Sequence, residues 1–373
     1  MAHLSANPAP AGPDLLTVTA DLVDRPSESF HEQVFVAWLE RELRPLAHLR
    51  VERIGDNLIA RTELARDRRV LLVGHIDTVP AAGNATARIE GDVLWGVGST
   101  DMKGGLAVML ELARSVPDPA VDVTYVFYAR EEVAQEHNGL NEIMAERPDL
   151  LAGDCAVLGE PTDGRIEAGC QGAMRFELTL AGARAHTARP WMGRNAIHRL
   201  GPILTAVADH EHRRPVIDGC EYREALQAVA VEGGVAGNVV PDRAMLRLHL
   251  RYAPDRTEDD ARAFVTDLLA PWCGDGDRLE VIDASPACRP SLSHPLLARL
   301  VTESGLPVRA KLGWTDVARF DAIGVPATNF GPGEPTLAHT ADERLGRGPL
   351  ERCHRALHRL ITQPGPDDES RVS

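Results

Sequence analysis

Two adjacent glutamates close an apolar run, Val123-Thr-Tyr-Val-Phe-Tyr-Ala-Arg-Glu131-Glu132. The run alternates and is rich in Val, Tyr and Phe, which predicts a strand. Neighbouring strand residues point to opposite faces. Two carboxylates serving one site therefore need a turn here and separate tasks: one can hold a cation while the other handles a proton. An exposed acidic pair at a strand end is the alternative, and the rest of the chain bears on the choice. The short apolar stretch Val70-Leu-Leu-Val leads to His75 and, two residues on along the same face, Asp77. An Asp so placed can bond the ring nitrogen that a metal leaves free and so fix the tautomer. The Gly-rich stretch Gly96 to Gly105 presents Asp101 just before a helical pattern, Leu106 to Leu112. Glu160 ends another strand ahead of Pro161, and His339 lies in the Gly/Pro-rich segment Gly331 to Asp342.

His75, Asp101, Glu132, Glu160 and His339 thus all fall at ends of apolar strands or in Gly/Pro turns. Nitrogen and oxygen donors without thiolate suit zinc, cobalt or manganese. The two oxygens of Asp101 can bridge two cations. Each cation then has one His, one terminal carboxylate and the bridge, with a position left open for water or substrate, as in catalytic sites.

The series GHIDTVP, GVGSTDMKGG, YAREE, LGEPT and LAHTADE resembles the co-catalytic metallo-aminoacylase/carboxypeptidase family in order and spacing over essentially the whole chain. The segments Glu167 to Gly172, Lys311 to Asp316 and Asn329 to Gly333 are most similar to the succinyl-diaminopimelate desuccinylases of actinobacterial type within it. The resemblance implies His75 and Glu160 on one cation, Glu132 and His339 on the other, and Asp101 between them. It makes Asp77 the residue that orients His75, and Glu131 the general base. Two divalent ions per chain follow, zinc first and cobalt as the alternative. The implied substrate is a small anionic acyl amino acid, N-succinyl-L,L-2,6-diaminopimelate, cleaved on the way to lysine and cell-wall precursors. Another N-acyl amino-acid deacylase, a metallocarboxypeptidase, or a non-catalytic relative without metals are the other readings. The resemblance also assigns His186, in Ala183 to Pro190, to the oxyanion of the opposite subunit. Asn238, Arg251 and the backbone near Gly333 are assigned to substrate carboxylates. A surface His, a turn Asn and an exposed strand Arg remain open as bland alternatives. Arg189 and Arg319 are weaker candidates, and Asp316 could orient a neighbour not identified from sequence.

Other motifs fail. Gly96-Val-Gly-Ser-Thr-Asp101 half-matches a dinucleotide fingerprint, with Asp in place of the third Gly. There is no GxSxG nucleophile elbow and no phosphate-loop motif. His137 is wrongly spaced from Glu132 for an HExxH helix and reads as a surface residue.

The elements that must position these residues form two patterns. Helix-like segments (Leu15 to Leu22, Glu32 to Leu43, Ala107 to Arg114, Leu140 to Ala145) alternate with short strands (Val70 to Val73, Val121 to Tyr128, Cys155 to Leu158). That predicts an α/β domain with a mostly parallel sheet and ligands at its carboxyl ends. From Met174 the order is strand 174–180, helix 195–210, strands 226–231 and 245–251, helix 258–269 and strand 279–283, the ferredoxin-like β-α-β-β-α-β. The fold expected is a zinc-peptidase-like catalytic domain, 13–171 and 288–365, interrupted by a ferredoxin-like α+β dimerisation (lid) domain, 172–287. Edge strands of such a module offer unpaired backbone for joining a second copy, hence a homodimer.

Composition narrows the class. The 373 residues are comfortable for two domains. No apolar run approaches the ~20 residues of a membrane span. Residues 1–12 lack the build of a signal peptide and read as a mobile arm, and the polar tail from Gln363 reads as frayed. Forty basic against fifty-five acidic residues give a net charge of −15. This disfavours nucleic acid and requires local arginines for an anionic substrate. Six scattered cysteines without a CxxC pair predict free thiols in a cytoplasmic protein.

Overall fold

A computed structural model describes residues 14–363. The expectations for the first dozen residues and for the tail past 363 lie outside them. The chain divides into two compact units. One runs to Glu167 and resumes at Ser291–Val308 and from Phe320; the other is Ala168–Pro290 with Arg309–Arg319. The expected insertion, 172–287, lies inside the second unit. Residues 309–319, expected within the 288–365 part of the catalytic domain, group instead with that unit.

In the first unit the sheet strands lie in the order Arg50–Ile54, Asn57–Arg61, Asp122–Tyr128, Arg69–His75, Cys155–Leu158, Ala327–Asn329. The first two form a hairpin whose two-residue turn begins at Gly55, at φ +54°, the left-handed geometry such turns need. From Asp122–Tyr128 onward the pairings are parallel. These parallel strands are buried almost throughout, as expected where helices cover both faces. Helix Arg347–Thr362 buries Leu350, Cys353, Leu357 and Leu360, a helical-period stripe. They join Leu16, Leu106, Leu110 and the strand residues Leu72 and Val123 in one core.

Register aligns the strand ends. His75 pairs with Tyr128, Val73 with Leu158, and Leu158 with Asn329. The segments that follow, carrying Asp77, Glu131 and Glu132, Glu160, and His339, therefore all leave the same carboxyl edge, where ligands gather in such sheets.

The second unit is an antiparallel sheet in the order Ala225–Gly233, Arg243–Tyr252, Gly172–Ala181, Arg278–Ser285. Helices Leu200–Ala208 and Glu258–Leu269 share a core with it through Leu200, Ile203, Val265, Phe176 and Leu248. The first helix is shorter than the 195–210 expected. Asn195 Oδ1 accepts the amides of Ile197 and His198 at 2.9 and 3.2 Å, an Asx turn that competes with helix. The second helix starts on a Thr257/Asp260 capping box.

Candidate metal centre

The strand that carries the paired glutamates ends at Tyr128, and two residues later Arg130 adopts φ +63°. A non-glycine residue there costs about 1 kcal/mol or more, so its surroundings must hold it. Asn57 Oδ1 accepts the Ala129 amide at 2.9 Å, and the Arg130 guanidinium donates to Glu142 Oε2 at 2.8 Å. Asp77 Oδ1 accepts the Glu131 amide at 3.0 Å, and its Oδ2 accepts the Glu132 amide at 3.1 Å and the Ser29 hydroxyl at 2.8 Å. One buried carboxylate thus fixes the turn that aims both glutamates. Burial alone would raise the Asp77 carboxyl, but the His75 imidazole, the Glu131 amide and Ser29 bring it below the usual range.

Asp77 was expected to hold the His75 ring through its carboxylate. His75 Nδ1 lies 3.1 Å from the Asp77 backbone carbonyl but 3.6 Å from Oδ1, beyond hydrogen-bond length. The carbonyl takes the ring and the carboxylate takes the turn. Either acceptor leaves Nε2 as the outward nitrogen.

That Nε2 lies 3.0 Å from Asp101 Oδ1, while Asp101 Oδ2 is 3.5 Å from His339 Nε2. The same His339 nitrogen is 2.7 Å from Glu132 Oε1. Each oxygen of Asp101 thus faces a different imidazole. Asp101 stands in the irregular turn Ser99–Lys103 ahead of helix Gly104–Ser115. Its amide and that of Thr100 both donate to Glu343 Oε1 at 3.0 Å. His339 is held in a turn at φ +62°.

Three trios bring one donor atom each within 4.8 Å: His75–Asp101–Glu160, Asp101–Glu132–His339, and His75–Glu131–Glu132. The first two share Asp101. Burial opposes charge on His75, but the Asp101 and Asp77 carboxylates push its pKa well above the ordinary value. Asp101 and Glu132 push His339 up to about 10. Burial works to raise Asp101, yet the two imidazoles hold it well below the carboxylate range, while burial raises Glu132. Crowded carboxylates that draw positive charge onto both histidines suit divalent cations, which would take the place of those protons.

The second-tier residues are dispersed. In the second unit His186 is exposed, and its Nδ1 accepts the Ala188 amide at 3.0 Å. It pairs with Val239, and the Thr187 amide donates to the Asn238 carbonyl at 3.1 Å, so His186 and Asn238 are neighbours. Arg251 is half-buried opposite Ala173; burial and nearby Arg175 lower its pKa. Asp316 is buried and accepts Arg319 Nε at 2.5 Å. Arg189 is exposed. In the first unit, Gly333 has a packing reason for lacking a side chain, since a Cβ would lie 2.5 Å from the Thr100 carbonyl oxygen. His137 is exposed, edge-on to Phe30 at 5.3 Å. The six cysteines, all among the described residues, form no disulfide.

Sequence reasoning passed over Ser29, Asn57, Lys103 and Glu343. Lys103 is buried, donates to the Arg25 carbonyl at 2.8 Å, and is brought down by burial to about 7. Only Glu343, in the LAHTADE segment, carried a signal: an acid four residues after a candidate ligand.

Residues 71–363 match peptidase family M20/M25/M40. A Mycobacterium tuberculosis protein with the provisional name succinyl-diaminopimelate desuccinylase is 48% identical over 349 residues, covering 93% of this chain and 98% of that protein. The succinyl-diaminopimelate desuccinylase of Corynebacterium glutamicum is 44% identical over 337 residues, 89% and 91% of the two chains. Among solved structures, an M20 family metallo-carboxypeptidase from Sulfolobus solfataricus superposes with a TM-score of 0.74 at 16% identity, covering 94% of this chain and 98% of that one, a likeness of fold. Among the described residues no helix is long and apolar enough to cross a membrane. With the family pattern spanning most of its length and two relatives above 40% identity, the chain belongs to peptidase family M20/M25/M40.

Proposed function

We propose that this chain is a metal-dependent amidohydrolase that cleaves N-succinyl-L,L-2,6-diaminopimelate to succinate and L,L-diaminopimelate, in the cytoplasm and as a homodimer. The carrying observation is the pair of trios joined by Asp101, with Glu131 beside them on a turn fixed by Asp77. The relatives from M. tuberculosis and C. glutamicum support the choice of substrate.

His75 and Glu160 would hold one divalent cation, Glu132 and His339 the other, and Asp101 would offer an oxygen to each; zinc is the first choice and cobalt the second. When bound, such a pair acidifies water and polarises the scissile carbonyl. Glu131 takes a proton from the attacking water and delivers it to the departing amine. Asp77 keeps Glu131 and Glu132 at fixed separation through their amides, so one can act on the proton while the other stays a ligand. His186 donates to the oxyanion, a contact whose loss costs ~100-fold or more in rate. The substrate carries three carboxylates and the chain a net charge of −15. Binding therefore falls to local donors: Arg251, Asn238 and the backbone near Gly333. A charge-assisted Arg–carboxylate bond is the strongest of these.

The test is kcat/KM for succinyl-diaminopimelate against acetylornithine, acetylmethionine and a dipeptide. The succinylated substrate should lead by at least about tenfold, one decade being about 1.4 kcal/mol of differential transition-state binding. Equal or higher kcat/KM on any of the others would refute the assignment.

A further inference from the structure

The turn that presents Asp101 has no regular secondary structure to define it. Asp101 and Met102 have non-helical dihedrals inside the segment Ser99–Lys103. A carboxylate facing two imidazoles at once tolerates little backbone play, because productive geometry at such sites must hold to about 0.5 Å.

Glu343 supplies what the turn lacks. Its side chain is 1% exposed, and Oε1 accepts the amides of both Thr100 and Asp101 at 3.0 Å. Its own carbonyl accepts the Gly96 amide at 3.1 Å, and the Arg344 carbonyl accepts the Thr100 hydroxyl at 2.7 Å. The strand Arg344–Gly346 pairs antiparallel with Val93–Trp95, just upstream of the turn. On the other side, the Glu343 amide donates to the Thr340 carbonyl at 3.2 Å, closing the loop that begins at His339. One buried side chain thus ties the Asp101 backbone to the segment that carries His339, the two residues whose facing atoms are 3.5 Å apart. Strand pairing would keep the two segments adjacent without Glu343, but it does not reach the Asp101 amide.

We propose that Glu343 is a positioning residue for the metal centre, setting the bridging carboxylate of Asp101 and its spacing from His339 through the Thr100 and Asp101 amides. It touches neither substrate nor cation. The inference rests on the two-cation reading above and deepens it.

Zinc alone is the probe, titrated into metal-stripped protein against a chromogenic chelator, for the wild type and Glu343→Ala, Glu343→Asp and Glu343→Gln. Groups that orient metal ligands are typically worth 10–100-fold in metal affinity. Glu343→Ala should lose at least about tenfold at one or both sites. Glu343→Gln keeps an acceptor oxygen for the amides and should recover most of it. In the zinc-saturated enzyme kcat should fall with KM unchanged. Should Glu343→Ala fail to fold, Glu343→Asp decides: its shortened carboxylate cannot reach both amides and should also bind zinc at least about tenfold more weakly. Wild-type zinc affinity in Glu343→Ala or Glu343→Asp, whatever their melting temperatures, would overturn the inference alone. A loss that Glu343→Gln does not restore would also overturn it. A wild type that binds no zinc would overturn the two-cation reading and the inference together.

Discussion

At the scale of residues, Glu131 and Glu132 hang from the two oxygens of Asp77 by their amides. They are neighbours in sequence with different surroundings. Glu132 Oε1 meets the His339 ring at 2.7 Å, whereas Glu131 joins His75 and Glu132 only in the third trio. Location is therefore shared and contacts are not. Glu131→Gln should retain two zinc ions per chain and lose at least about a hundredfold in kcat, the lower range for a general acid–base group. Glu132→Gln should lose zinc as well as turnover. Elemental analysis beside kcat checks the contrast, and equal metal loss in both variants would void the division of labour. The residues of this centre were legible because each donor sits at a strand end or Gly turn with its own short signature. The groups that hold the donors were not. Asn57 opens a hairpin strand and Ser29 precedes a helix; only tertiary contact shows that they reach Ala129 and Asp77. That the Asp77 carboxylate also accepts the Glu131 and Glu132 amides was not legible for the same reason, since only the folded turn brings them to it.

At the scale of elements, three of the four parallel strands were readable from their apolar runs, and the second unit from its β-α-β-β-α-β periodicity; Ala327–Asn329, three residues of which two are polar, was not. Element ends were less so, because side chains redirected the backbone, as Asn195 does before helix Leu200–Ala208. A polar clasp that sequence did not mark helps close the second unit. Arg199, just before that helix, donates to both oxygens of Asp277 at 2.6 and 2.5 Å, and Asp277 Oδ1 also accepts the Ala181 amide at 2.9 Å. The Arg199 bonds bring the Asp277 carboxyl from 3.8 down to about 2. A depressed carboxyl stabilises the fold above its unfolded value and loses that contribution as pH falls through the folded one. Asp277→Asn should therefore cost about 2 kcal/mol at pH 7 by linkage. The penalty should start to shrink below about pH 4 and be nearly gone near pH 2. Urea melts of both proteins at pH 7 and pH 3 check this; a larger penalty at pH 3 than at pH 7 would contradict it.

At the scale of the whole molecule, strand Ala225–Gly233 is an edge of its sheet, with Val229 and Val231 at 57% and 50% exposure. Apolar edges of this kind are where a second copy can add. The chain should sediment as a dimer, and Val229→Asp with Val231→Asp should sediment as a monomer. A doubly substituted protein that stays dimeric would move the interface elsewhere. The central claim, that two cations held by His75, Asp101, Glu132, Glu160 and His339 make this chain a desuccinylase, is tested most directly by one titration. Zinc is added back to metal-stripped protein while succinate release from succinyl-diaminopimelate is followed. The expected result is negligible release without metal and a rate that climbs until two zinc ions are bound per chain. Full release by the stripped protein, or no release with two zinc ions bound, would contradict the claim.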